Sequence, residues 1–155
     1  MRVVLDTSAI IYLNDFSKFD EIFTVQEVID EVKDKVSSMK LSTINLKIRE
    51  PNFNSIIDIT RIARETGDFE KLSSTDIKIL ALAKMTGSTL VSDDYNVQNV
   101  AKKIGVSYVG TFNKEISELI VWEKICKSCG KKYDKGKFCK VCGGKLSRVP
   151  SKSSK

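Results

Sequence analysis

Asp6 closes the apolar run Val3-Val4-Leu5, Asp76 opens the apolar run that begins at Ile77, and Asp93-Asp94 follow Thr89-Leu90-Val91. Each acid stands at the polar margin of a segment apolar enough to be buried. Glu27 and Glu31 lie four apart in TVQEVIDEVKDKV, beside the stripe of Val25, Val28, Ile29, Val32 and Val36. Gathering four carboxylates without a cation costs on the order of 1 to 4 kcal/mol per close pair at surface-like dielectric, so a cluster of this kind is built to hold metal. Hard oxygen donors suit magnesium or manganese, which keep waters that a phosphate displaces. An ionised water, a polarised phosphate oxygen and a stabilised leaving oxygen then hydrolyse a phosphodiester by in-line attack. The chain has no histidine, which excludes triads and ribonuclease chemistry built on imidazole.

Taken singly, every acid has an ordinary structural alternative. Asp6 or Ser8 could cap the helix that follows the first strand, and Asp93 or Asp94 could cap a later one. Ser73-x-x-Asp76 before an apolar run matches a capping box, and Glu27 and Glu31 could point to water. Caps do not explain why Asp6 and Asp94 follow two different strands while Asp76 and a helical glutamate stand on elements that should pack beside them.

The elements that must position these groups are legible from periodicity. Strands are predicted at 3–5, 89–91 and 106–109, with 44–48 as an added edge strand. Helices are predicted after Ser8, over Thr24–Val36, over Phe53–Arg64, from Asp76 as an interior helix, and over Tyr95–Ile104 with Gly105 ending it. Residues 37–52 resemble an insertion of hairpin character, whose Lys40, Lys47 and Arg49 suit a phosphate backbone or an ordinary surface. Alternation of strand and helix implies an α/β fold with a parallel, right-handed sheet. A length of 155 residues with 41% hydrophobic side chains accommodates one modest domain and a small appendage. No stretch reaches the roughly 20 apolar residues of a membrane span, and the amino terminus lacks a signal-peptide pattern, so a cytoplasmic protein is expected.

Charge is divided unevenly along the chain. Residues 1–123 hold 15 Lys+Arg against 19 Asp+Glu, whereas residues 124–155 hold 11 against 1. An acidic body with a basic tail implies a polyanionic partner, for which nucleic acid is the commonest candidate. All four cysteines lie in that tail, as Cys126-x₂-Cys129 and Cys139-x₂-Cys142, with glycine after the second cysteine of each pair. Two such knuckles suit a zinc ribbon around one Zn²⁺, and disulfides are disfavoured in an intracellular chain. So short a module takes most of its folding energy from zinc. Lys131, Lys132, Lys135, Lys137 and Lys140 decorate it, and Tyr133 and Phe138 either stack on bases or form its small core, the core role being expected for Phe138. The expected organisation is a nuclease-like domain at 1–112, a linker at 113–124 packed on that domain, the ribbon at 125–149 and a flexible tail at 150–155.

Together these residues resemble the PIN-domain nucleases, whose pattern is an Asp after the first strand, a Glu in an early helix, an Asp opening a buried helix and an Asp after a later strand. The matching positions are Asp6 in VVLDTS, Glu31 in EVIDEVKD, Asp76 in SSTDIKILALA and Asp94 in LVSDDYNVQNVA. Glu31 is preferred to Glu27 because the resemblance places the glutamate before Val32-Lys33-Asp34. Asp93 contributes through water or is itself the ligand, and Thr7, Ser8 and Ser92 resemble the hydroxyls that support such clusters. A PIN domain followed by a four-cysteine ribbon is similar to the Nob-type ribosome assembly endonucleases, in particular to archaeal ones. That resemblance implies Mg²⁺- or Mn²⁺-dependent cleavage of precursor small-subunit rRNA at its mature 3′ end, within a pre-ribosomal particle and alongside assembly factors. The alternatives are a toxin-like PIN ribonuclease acting on tRNA or mRNA, and a non-catalytic RNA-binding assembly factor.

Overall fold

The first strand, β1 (Arg2–Leu5), has β2 (Glu21–Thr24) and then β3 (Leu46–Ile48) on one side, and β4 (Thr89–Val91) and then β5 (Tyr108–Val109) on the other. Every pairing in this five-stranded sheet is parallel. The structure, a computed structural model, describes residues 1–111, 119–133 and 136–150. Val3, Val4 and Leu5 are fully buried, as a central strand covered on both faces requires.

Between the strands run α1 (Thr7–Tyr12), α2 (Gln26–Val32), α3 (Ser38–Thr43), α4 (Phe53–Thr66), α5 (Ser74–Thr86) and α6 (Tyr95–Ile104). In α5, Ile77, Ile79, Leu80, Ala81, Leu82 and Ala83 are all buried, so this helix is interior as its continuous apolar run predicts. Because β1 leads to β2 on one side and has β4 on the other, the sheet has a topological switch point between β1 and β4. The crevice beyond their carboxyl ends is where open α/β sheets bind ligands. Asp6 and the Ser92-Asp93-Asp94 turn stand there.

Two expectations fail in detail. Thr24–Val36 is not one helix, since Thr24 ends β2 and α2 begins only at Gln26. Ile22 and Phe23 are consecutive and both buried, so β2 lacks the alternation that marks a half-exposed strand. Residues 37–52 are not a hairpin either. Ser37 caps α3 through the Lys40 amide at 3.1 Å, and β3 joins β2 in parallel, with Leu46 opposite Ile22. A parallel neighbour needs a crossover, which α2 and α3 supply.

A second sheet is antiparallel, with β6 (Trp122–Cys126) between β7 (Lys132–Tyr133) and β8 (Leu146–Pro150). It takes in Trp122 to Lys124 and Pro150. Of the predicted linker, 113–118 lie outside the described residues, as do 151–155 of the predicted tail and Lys135 of the ribbon. No described helix is long and apolar enough to cross a membrane.

Candidate active site

Asp6 is the residue after β1 and is buried, at 7% exposure. It caps α1, accepting from the Ala9 amide at 2.8 Å, and it accepts from the Ser92 hydroxyl. Ser92 follows β4 and in turn accepts from the Asp94 amide at 3.1 Å, while the buried Gln98 amide donates to the Ser92 carbonyl at 2.8 Å. The two strand ends are thereby tied together under Asp6. Asp94 caps α6 by accepting from the Asn96 amide at 2.8 Å.

Glu31 enters the same crevice from α2. One oxygen accepts from Thr7 Oγ1 at 2.5 Å at the start of α1, the other from Thr75 Oγ1 at 3.2 Å at the start of α5. Glu27, one turn earlier, is instead engaged by Lys78 at 2.6 Å, and Lys78 also holds Glu50 at 2.7 Å. Asp76 completes the capping box of α5, accepting from the Ser73 amide at 2.9 Å while Ser73 Oγ accepts from the Asp76 amide at 3.1 Å. The capping role foreseen for Asp76 is therefore real, and it coexists with a place in the crevice.

These acids lie near enough to feel one another's charge. Burial pushes the Asp6 carboxyl up to about 6; the Ser92 hydroxyl and the Ala9 amide oppose the shift, and the Asp76 and Asp93 charges add to it. Asp76 is likewise raised, first by burial, with Ser73 opposing and the Asp94 and Glu31 charges reinforcing. None of the strongest influences on either acid is a cation. Both oxygens of Asp93 accept from Thr111, just past β5, one from the amide at 2.7 Å and one from the hydroxyl, while its charge still acts on Asp6. Thr75, Gln98 and Thr111 escaped the sequence reading, because a hydroxyl or amide that supports an acid from a distant element leaves no periodic signal.

The four thiols form a tighter set. Cys126, Cys129, Cys139 and Cys142 are free, and their sulfurs all lie within 4.8 Å of one another, with Cys126–Cys142 at 3.3 Å and Cys129–Cys139 at 3.6 Å. A disulfide is about 2.05 Å long, whereas a tetrahedron of sulfurs at about 2.3 Å from zinc has edges of about 3.8 Å. The knuckles repeat one backbone pattern. Gly130 donates to Cys126 at 2.6 Å and Gly143 to Cys139 at 3.0 Å, while Cys126 donates to Lys131 at 2.9 Å and Cys139 to Gly144 at 2.7 Å. Tyr133 lies against the Cys139 sulfur at 3.1 Å, and its hydroxyl pulls the Cys139 thiol down to about 6. Tyr133 therefore builds the small core, and Phe138, 64% exposed, does not. The Tyr hydroxyl has a sulfur and the Lys140 amide, at 3.0 Å, to satisfy it; Phe138 has no such handle.

Comparison with known proteins agrees with this geometry. A family model described as the PIN domain of ribonuclease matches residues 3–85. Endoribonuclease Nob1 of Archaeoglobus fulgidus is 37% identical over 145 residues, covering 90% of this chain and 86% of that protein. Endoribonuclease Nob1 of Pyrococcus abyssi is 34% identical over 157 residues, covering 97% and 94%. The chain belongs to the Nob1 family of PIN-domain endoribonucleases. Ribonuclease VapC1 of Thermoplasma acidophilum is also similar, at 31% over 151 residues, covering 96% of this chain and 78% of that protein. Membership of the Nob1 family makes the chain a hydrolase of phosphodiester bonds.

Asp6, Glu31 and Asp76 fall inside the matched PIN segment; Asp93 and Asp94 lie beyond it. PIN nucleases depend on divalent metal, and the donor set fits a hard cation: oxygen ligands only, with carboxylates whose charges raise one another's pKa. Among the described residues only the cysteines gather closely enough to form a ready metal shell. The carboxylates meet at longer range.

Proposed function

We propose that the chain cleaves precursor small-subunit rRNA at its mature 3′ end, using Asp6, Glu31, Asp76 and Asp94 to hold Mg²⁺ or Mn²⁺. The observation that carries this reading is the likeness to Endoribonuclease Nob1 over 90% and 97% of the chain, with Asp6, Glu31, Asp76 and Asp94 delivered by β1, α2, α5 and the turn after β4. When bound, the metal supplies an acidified water and a polarised phosphate. The chain's own residues do the positioning. Ser92 holds Asp6, Thr7 and Thr75 orient Glu31, and Ser73 anchors Asp76. Asp94 is the direct ligand, and Asp93, with both oxygens on Thr111, lends charge.

The ribbon, held by Zn²⁺ on the four cysteines, binds rRNA through its lysines, so the nuclease unit at 1–112 and the ribbon at 125–149 act together on a pre-ribosomal particle in the cytoplasm. A toxin-like reading is less supported, since the relative named as VapC1 is the less similar of those compared.

The test is incubation of the protein with Mn²⁺ or Mg²⁺ and an RNA spanning the end of small-subunit rRNA, followed by mapping of product ends. A single metal-dependent cut at the mature end is expected. Indiscriminate cutting of tRNA and mRNA would overturn the substrate, and metal-independent binding without cutting would overturn the enzyme.

A further inference from the structure

On one side of the crevice, α2 and α5 are joined by two rungs. Glu27 and Glu31 lie four apart on one face of α2, and Thr75 and Lys78 lie three apart on one face of α5. Thr75 Oγ1 donates to Glu31 at 3.2 Å, and Lys78 Nζ reaches Glu27 at 2.6 Å. The helices therefore meet through matched pairs on adjacent turns. Lys78 has a second partner, Glu50 at 2.7 Å, which stands two residues after β3. One ammonium thus joins three elements beside the acids. With side chains only 26% and 33% exposed, Lys78 and Glu27 form a pair that salt screens less than a fully exposed one.

The two glutamates of α2 are thereby made chemically different. Glu31 is held by two neutral hydroxyls, Thr7 and Thr75, and keeps its full charge for a divalent ion. Glu27 already has a cation, which a metal would have to displace or approach against repulsion. Without Lys78, the Glu27 and Glu50 carboxylates, now drawn to one point, would stand as a bare pair one helical turn from Glu31. Such a pair beside further acids costs free energy that a divalent cation recovers. We infer that Lys78 is a positioning residue for the crevice: its ammonium withholds Glu27 and Glu50, leaves Glu31 as the glutamate that α2 offers, and limits the crevice to the ion shared by Asp6, Glu31, Asp76 and Asp94. This rests on the reading that those four acids hold Mg²⁺ or Mn²⁺. A fixed protein cation then does at one end of the cluster what a second divalent ion would otherwise do.

The experiment counts Mn²⁺ bound to the full zinc-loaded chain by electron paramagnetic resonance, without RNA, in the wild type and in Lys78→Met, Lys78→Arg and Lys78→Met with Glu27→Gln. One tightly bound ion is expected in the wild type and in Lys78→Arg, which keeps a cation between the two carboxylates. Lys78→Met should bind a second ion, and Glu27→Gln in the same chain should remove it. The ¹³C carboxyl signal of Glu27 should broaden together with that of Glu31 in Lys78→Met, whereas in the wild type it should need at least about tenfold more Mn²⁺. If Lys78→Met does not fold, Lys78→Gln gives the same readings. Two tight ions in the wild type or in Lys78→Arg, or a second ion that survives Glu27→Gln, would overturn the inference. So would a lowered melting temperature with an unchanged count, which would leave Lys78 a plain structural tie. A wild type that takes up no Mn²⁺ would instead sink the proposed function, so the two failures are told apart.

Discussion

The carboxylate crevice and the cysteine ribbon are both four-residue anionic sites, yet they are built on opposite principles. In the ribbon, two copies of one backbone turn bring the sulfurs to 3.3 and 3.6 Å, close to the spacing of a filled shell. In the crevice, acids from four elements are engaged by hydroxyl and amide donors, and burial, reinforced by neighbouring carboxylates, raises the Asp6 and Asp76 carboxyls. A structural metal site is closed by its ligands; a catalytic one keeps positions open for water and substrate. On the proposed function, the wider spread of the carboxylates leaves room for water and a phosphate.

Breaking the ribbon should have the largest consequence. Zinc removal or Cys126→Ser deletes a metal contribution of about 10 to 16 kcal/mol, far beyond what so small a sheet offers on its own. Loss of dispersed amide signals from β6 to β8, with the five-stranded sheet still folded, is expected. A ribbon that keeps its signals in chelator would show that zinc does not fold it.

Breaking the crevice should leave the fold intact and remove the activity. Asp6→Asn, Asp76→Asn or Asp94→Asn should lower cleavage about 10³-fold, equivalent to about 4 kcal/mol of barrier. Melting temperature without Mg²⁺ should stay equal or rise, because a like charge is gone while Asn keeps the capping oxygen. Retained cutting with lowered stability would return these acids to the role of plain caps.

A smaller effect sharpens the contrast through pH. The folded Asp6 carboxyl, near 6, binds its proton more tightly than the unfolded one, near 3.8. Stability of the Mg²⁺-free protein therefore decreases as pH rises from about 4 through 6, by up to about 3 kcal/mol. The Asp6→Asn variant should lose that slope, which urea titrations at pH 5 and pH 8 would reveal. Parallel pH profiles for variant and wild type would refute the buried charge.

The smallest change is Tyr133→Phe, which removes the hydroxyl shared by Cys139 and the Lys140 amide. About 1 kcal/mol of ribbon stability should go with it, read as a modest loss of zinc affinity in a chelator competition. An unchanged affinity would mean that the ring alone matters.

The central strands, the interior helix and the cysteine knuckles were legible because each writes a local pattern: a short apolar run, a continuous buried run, a paired spacing. β2 was hidden because Ile22 and Phe23 are both buried and Val25 alone separates Thr24 from α2. α3 was hidden because a six-residue SMKLST helix has no room for a period. Asp6, Asp76 and Asp94 could be picked out by their places after strands or before a buried helix. What fixes them could not, since Thr75 on Glu31 or Gln98 behind Ser92 depends on tertiary proximity that no spacing encodes.

The most direct measurement is a Mn²⁺ titration of the zinc-loaded protein, watched through the ¹³C carboxyl signals of its Asp and Glu side chains. Asp6, Glu31, Asp76 and Asp94 should broaden together at the lowest Mn²⁺, with Glu27 and Glu50 spared on Lys78. Broadening that begins elsewhere, or that never unites those four signals, would contradict a shared metal site.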